Sequence, residues 1–381
     1  MSLAVPVMTS ATPLIPPPQR DIVLCEGRRV RIGAQVGRGS MSTVYRGVAE
    51  GPFGLQRAVA VKVFDALSSD ECESVIRTLA HAARDAVCIQ HPNVVALFDF
   101  GMIGPAQPYA VMELVDGRTL ASLLDSCAHR NRRMPLDVAL FIGIEVAEAL
   151  AGARLARTPD GVQLGVVHGE LSASDVLLSW NGEVKVADFG FAAAARASSS
   201  VRSLRALAHR VRSLAPEVAR GREGDARSDV FSLGITLREL LVGPRFPGTL
   251  SDAEALKWAR DGVVYSGMFE PQLSPELRAL LARATERDPA RRFAHAGVLS
   301  YELRRVALAM GVVDGRSFLR HAMPKLFPPR SQDEEVTGEI TPPGRISHSD
   351  SDDRFARLRG ERTSGMMRKA KPWDFEDDGE E

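Results

Sequence analysis

Apolar and polar positions change their period partway along the chain. Between residues 30 and 114 the apolar residues come in short runs broken by glycine, proline or charge. Residues 30–48 read as strand, glycine turn, strand, and 58–64 (AVAVKVF) as a nearly continuous apolar strand holding one lysine. Residues 94–101 and 109–114 read as two more strands. One helix interrupts them over 68–90, with Asp70 and Glu71 suited to its positive N-terminal end and His91-Pro92-Asn93 as its stop. From residue 116 the spacing becomes helical, over 136–156, 228–242, 252–260, 276–285, 301–310 and 317–326. A short β-run at 183–187 lies inside this helical half and delivers Asp188-Phe189-Gly190 onto a loop. The pattern therefore predicts a β-rich part followed by a helical part, an α+β chain.

Both ends depart from this pattern. Residues 1–20 carry Pro6, Pro13, Pro16, Pro17 and Pro18 without periodicity, and are expected to be disordered. Beyond residue 327 prolines, serines and mixed charges dominate and the last eight residues are strongly acidic, so 328–381 is expected to be a disordered charged tail. Trp373 and Phe375 among those acids are a candidate binding motif or a plain end. Between core and tail, 313–327 reads as a helical extension.

Composition narrows the class. Lys plus Arg and Asp plus Glu are 48 each, so no net charge draws the chain to nucleic acid or an anionic membrane. The long helical run at 136–156 carries Asp137, Glu145, Glu148 and Arg154, which argues against a membrane span. Cys25, Cys72, Cys88 and Cys127 form no C-x-x-C pair, which suits free thiols in a reducing cytoplasm.

The chemistry gathers in three stretches. Gly37-x-Gly39-x-x-Ser42-x-Val44 is a glycine-rich turn, where missing side chains let backbone N–H groups approach phosphate. Lys62 follows in Val59-Ala60-Val61-Lys62; on its own it could be an edge-strand lysine facing water. The third stretch, 166–190, holds His168-Gly169-Glu170, Asp175 and Asp188-Phe189-Gly190. In order and spacing, residues 30–312 resemble the bacterial Hanks-type Ser/Thr protein kinase family. The resemblance implies a two-lobed kinase-like fold, with a β-rich N-lobe at about 21–115 and an α-helical C-lobe at about 116–312. It implies ATP and Mg²⁺ as ligands, and other signalling proteins as partners. Gly37, Gly39 and Ser42 would cover the phosphates and Lys62 would hold them. Met112, Glu113 and Val115 would form the hinge against adenine, with Val44, Ala60 and Leu177 sandwiching it. Asp175 and Asp188 would bind the metal, and Glu170 would stand as base.

Several residues depart from the family's pattern. Glu170 replaces an aspartate, and a displacement of about 1 Å can cost about a hundredfold in rate. Asp175 replaces an asparagine, Ser172 a lysine and Gly169 an arginine. The helix carboxylate that should orient Lys62 falls at His81 or Ala82, leaving Asp85 or Asp188 as substitutes. The activation segment, 191–214, has five arginines and no acid, with Arg210 where a threonine is expected; Arg210 could pair with Glu170 and block a substrate hydroxyl. Ser198, Ser199, Ser200 and Ser203 are candidate phosphorylation sites. The scaffold is better kept, with Ala215-Pro216-Glu217, Asp229 and Arg292 in place. Three readings remain: an ATP-binding pseudokinase with a regulatory or docking role, an active Ser/Thr kinase using Glu170 with Asp175 and Asp188, and an interaction protein that binds no nucleotide.

Overall fold

The structure is a computed structural model, and it describes residues 21–23, 29–39, 41–67, 72–130, 132–191, 210–246, 250–264, 272–312 and 314–327. The expected disorder of 1–20 and 328–381, the serines of the activation segment and the Trp373 motif lie outside the described residues.

The first part is a six-stranded sheet in the order β1-β2-β3-β4-β6-β5, with every neighbouring pair antiparallel. Its strands are β1 (Asp21–Val23), β2 (Arg29–Arg38), β3 (Ser42–Glu50), β4 (Gln56–Phe64), β5 (Leu97–Ile103) and β6 (Gln107–Glu113). Alternation along β4 decides what each face holds. Val59, Val61 and Val63 join Val30, Ile32, Tyr45, Tyr109 and Val111 on one face. Ala60 and Phe64 face the other way, against Val75, Leu79, Ala83 and Ala86 of helix α1 (Cys72–Val87). Lys62 shares the Ala60–Phe64 face, so its period places it towards the second part of the molecule and not towards water.

The second part is helical: α2 (Leu120–His129), α3 (Leu136–Arg154), α4 (Pro216–Ala219), α5 (Ala226–Val242), α6 (Asp252–Asp261), α7 (Pro275–Ala284), α8 (Ala296–Ala309) and α9 (Gly315–Leu326). Its core is built on α3, whose Val138, Leu140, Ile142, Val146 and Leu150 are buried with Leu233 and Leu237 of α5 and Leu299 and Leu303 of α8. A small sheet, β7 (Gly117–Thr119), β8 (Val176–Ser179) and β9 (Val184–Val186), lies beside it and carries the loop residues of interest.

Some elements differ from the pattern. Helix α2, capped by Thr119, was not legible as a separate helix, and neither were the three- and four-residue strands β7 and β8. Such strands pair over three residues, too few for a period to register. Helix α1 ends at Val87 and β5 begins at Leu97, so 88–96 is a connection. That connection fastens the two parts together: Val95 N–H donates to the Val186 carbonyl and Val186 N–H to that of Asn93, at 2.9 and 2.7 Å. The Asn93 amide also donates to Glu145 and to the Val184 carbonyl.

Candidate active site

The proposed adenine-facing residues come together from four elements. Val44 of β3, Ala60 of β4, Met112 of β6, Val115 beyond it and Leu177 of β8 belong to one apolar cluster. Ala60 and Met112 are buried, while Val44, Val115 and Leu177 are half-buried, as the walls of an open cleft must be. Glu113 keeps its N–H on the Ala96 carbonyl at 2.9 Å, and its carboxylate takes the Lys185 ammonium at 2.8 Å. Gly39 N–H donates to the Ser42 carbonyl at 2.7 Å, closing the glycine turn tightly. A Cβ at Gly37 or Gly39 would meet nothing nearer than 4.0 or 3.5 Å, so the fold's own packing does not demand glycine there. Room for a ligand is a reason that survives.

Lys62 is 8% exposed and its Nζ sits 2.6 Å from Asp188 Oδ2. Of the two substitutes named for the missing helix carboxylate, Asp188 is therefore the partner; Asp85 lies beside His81 instead, at 3.8 Å. The reason shows on α1. A Cβ on Gly190 would touch the Ala82 methyl at 3.3 Å, so the helix meets this loop with a methyl where a carboxylate would be needed.

Asp188 is set by the loop around it. Its backbone is left-handed (φ 68), a region aspartate tolerates better than most residues. Ala187 is held on both sides, its N–H on the Asp175 carbonyl and its carbonyl against His168 Nε2, each at 2.9 Å. The His168 and Phe189 rings pack 5.0 Å apart. The loop 168–175 hangs from α5: Asp229 accepts from His168 N–H and Gly169 N–H at 2.8 and 2.9 Å. Gly169 has φ 83, so glycine takes without cost a turn that the absent arginine would strain. Farther out, Arg292 donates to both oxygens of Glu217 at 2.7 and 2.8 Å, and Ser228 Oγ adds a third bond.

Arg210 corrects one expectation. Its guanidinium does not meet Glu170 carboxylate-first. Nη2 donates to Asp175 Oδ1 at 2.9 Å, and Nη1 to Asp175 Oδ2 at 3.2 Å and to the main-chain carbonyl of Glu170 at 3.0 Å. The physical reason is the exchange of amide for carboxylate at 175. A carboxylate has no donor to offer the neighbouring carbonyl, whereas the guanidinium fork satisfies both oxygens and that carbonyl together. Ser172 closes the other side, its N–H and Oγ both on Asp175 Oδ2, at 2.9 and 2.8 Å. The sequence signal for this clamp was an Asp at 175 combined with a basic residue 35 positions on, and it was read onto Glu170.

The charges interlock. Burial opposes the ionised Asp188, but the Lys62 ammonium, with Arg210 and His168 behind it, holds its carboxyl below the usual range. Burial likewise opposes the Arg210 cation, yet Asp175, then Asp188 and Glu170, raise its pKa. Burial pushes Asp229 up, with Asp225 adding to it, against His168 and the Gly169 and His168 amides that pull it down.

The fit to ATP and to Mg²⁺ differs. The half-buried apolar walls, the unforced glycines and Lys62 suit a nucleotide. The metal ligands do not suit Mg²⁺ as they stand. Asp175 Oδ2 already accepts three hydrogen bonds and Oδ1 a fourth, and Asp188 Oδ2 takes Lys62. Among the described residues no group of three or more His, Cys, Asp or Glu side chains is gathered as a metal site. Mg²⁺ needs oxygen lone pairs at short, near-octahedral spacing.

A β-sheet lobe and a helical lobe around a lysine–aspartate pair, with the second lobe's loop hung from a buried aspartate, define the class: a protein kinase domain. Residues 30–300 match the family described as protein tyrosine and serine/threonine kinase, and the chain belongs to that family. Among its relatives are a probable serine/threonine-protein kinase of Streptomyces coelicolor, 34% identical over 73% of this chain and 40% of its own length, and serine/threonine-protein kinase PknB of Mycobacterium leprae, 33% identical over 73% and 43%. This chain thus spans about two-fifths of the length of these relatives. The fold is similar to that of a mutant PknI kinase domain of Mycobacterium tuberculosis, with TM-score 0.52 and 21% identity over 79% of this chain and 99% of that one. No helix among the described residues is long and apolar enough to cross a membrane.

Proposed function

We propose that residues 21–312 form an ATP-binding kinase domain whose phosphoryl transfer is impaired, and that the chain serves as a regulatory or docking module for other signalling proteins in the cytoplasm. The observation that carries this reading is Arg210 seated on Asp175, at 2.9 Å, with the neighbouring Glu170 carbonyl in the same grip. It occupies one of the two carboxylates that would otherwise serve the phosphates, just where an acceptor hydroxyl would approach Glu170. The nucleotide half of the reading rests on Lys62, the glycine turn and the apolar walls, with Glu113 and Val115 offering backbone groups to adenine. In this reading the chain's own residues orient and hold the nucleotide.

A second reading, an active Ser/Thr kinase with Glu170 as base, is favoured by one feature, the ionised Asp188 held opposite the glycine turn. A thermal shift with ATP and a transfer assay with radiolabelled ATP separate the readings. Stabilisation by ATP with little transfer is the expected result. Transfer by the wild type that vanishes in both Glu170→Ala and Asp188→Asn overturns impairment. No stabilisation at saturating ATP leaves the interaction protein that binds no nucleotide.

A further inference from the structure

We infer that Arg210 takes the place of a divalent cation in this site, so that the domain binds a nucleoside triphosphate without needing Mg²⁺. The inference rests on the ATP-binding reading above and goes beyond it in naming what neutralises the site. Three carboxylates, Glu170, Asp175 and Asp188, act on one guanidinium. Clustered carboxylates are ordinarily the reason a phosphate site recruits a metal. Here each of the two best metal ligands is already bound to a fixed cation, Asp175 to Arg210 and Asp188 to Lys62. The pairs are well shielded: the Asp175 side chain is 2% exposed and that of Arg210 18%. A metal ligating Asp175 would have to compete with the Arg210 fork on both oxygens and with the two Ser172 donors on Oδ2.

The same cations can serve a triphosphate. A guanidinium is a planar fork suited to phosphate oxygens as well as to carboxylates. A lysine ammonium carries three donors, of which Lys62 gives one to Asp188. Both groups are therefore already charged and already held on the loops that carry Asp175 and Asp188. Two cations held by the chain replace a cation taken from solution.

The test is a calorimetric titration of the full chain with ATP, once in EDTA and once in excess Mg²⁺, on the wild type and on Arg210→Thr. The wild-type affinities are expected to agree within about twofold. Arg210→Thr is expected to bind weakly in EDTA and to gain about tenfold or more when Mg²⁺ is supplied. A wild type that gains about tenfold from Mg²⁺ overturns the inference while leaving ATP binding intact. Arg210→Thr that remains indifferent to Mg²⁺ overturns the assignment to Arg210. Absence of binding in every arm sinks the ATP-binding reading itself and the inference with it. The wild-type comparison depends on no variant. Should Arg210→Thr melt early without ligand, Arg210→Gln, which removes the charge and keeps hydrogen-bond donors for Asp175, is expected to show the same gain, and its indifference to Mg²⁺ counts against the role.

Discussion

Lys62 and Asp188 stand 126 residues apart in the chain and 2.6 Å apart in the fold. The pair is the seam between the β-rich and the helical parts. Lys62 comes from the sheet face set by alternation along β4, and Asp188 from the loop that β9 delivers. Both side chains are largely out of water, at 10% and 16% exposure, so each has given up hydration in exchange for the other.

Removing one partner should therefore cost more than removing both. Lys62→Met leaves a shielded carboxylate without its cation and is expected to destabilise by about 3–5 kcal/mol. Lys62→Met with Asp188→Leu should lose clearly less than the sum of the two single changes. Urea unfolding of the four proteins gives the cycle, and strict additivity would show that the two charges do not feel each other. The same Lys62→Met should abolish the thermal shift with ATP.

Arg292 tests the scaffold in isolation from the cleft. Its guanidinium is fully enclosed and grips Glu217 with two bonds, while also holding the main-chain carbonyls of Glu286, Arg287 and Arg227. Arg292→Ala is expected to cost about 3–5 kcal/mol, through the stranded Glu217 and the released carbonyls. Glu217→Gln, which keeps a hydrogen-bond acceptor for Arg292, should cost less. Equal losses in denaturant midpoint would mean that the carbonyl contacts of Arg292 contribute nothing.

Much of this was legible in the sequence, and the reasons differ by residue. Lys62 was marked by its single charge in an apolar strand, and β4 had to turn that charge to one face. Glu217, Asp229 and Arg292 were placed by resemblance in spacing, and the structure joins Glu217 with Arg292 and Asp229 with the loop at His168. The position of the missing helix carboxylate was read as His81 or Ala82 by counting from Lys62 and His91, and the structure puts the Ala82 methyl against Gly190. What could not be read was direction. Whether Lys62 would turn to Asp85 or to Asp188, and whether Arg210 would choose Glu170 or Asp175, depends on distances across 126 and 35 residues of chain. Spacing fixes which groups arrive in one region; the local hydrogen-bond supply decides which of them pair.

Acid should unfold the domain by a route these carboxyls define. Asp188 and Glu217 are both depressed in the fold from ordinary values of 3.8 and 4.5, the first by Lys62 and the second by Arg292 and Ser228, in each case against burial. A depressed folded pKa gives stability that is complete above the ordinary value and is lost as pH falls through the folded one. Asp229, raised by burial, works the other way and favours the fold slightly as it protonates. With the depressed pair dominant, the melting temperature should be flat near neutrality and fall below about pH 4.5. Glu217→Gln should start lower and fall less steeply. An identical slope in wild type and variant would remove Glu217 from the account.

The site's chemistry can be tested by restoring it. Two changes stand between this loop and a hydroxyl acceptor: the extra methylene of Glu170, and the guanidinium over Asp175. Glu170→Asp alone should gain little, because Arg210 still covers the approach. Arg210→Thr alone frees Asp175 but leaves the carboxylate of Glu170 displaced by about 1 Å. Together they are expected to raise transfer from radiolabelled ATP by about tenfold to a hundredfold over the wild type, since misplacement on that scale costs up to the latter. The gain should require added Mg²⁺, because Asp175 would then have lone pairs to offer. If the double variant binds ATP and still transfers nothing, the fault lies on the other side of the cleft. There Ala82 meets Gly190 with a methyl, and Lys62 has no third group to hold it off Asp188. Ala82→Glu added to the double variant then decides the matter: activity appearing only in the triple variant assigns the block to the helix, and none at all refutes the idea that this centre is an edited kinase.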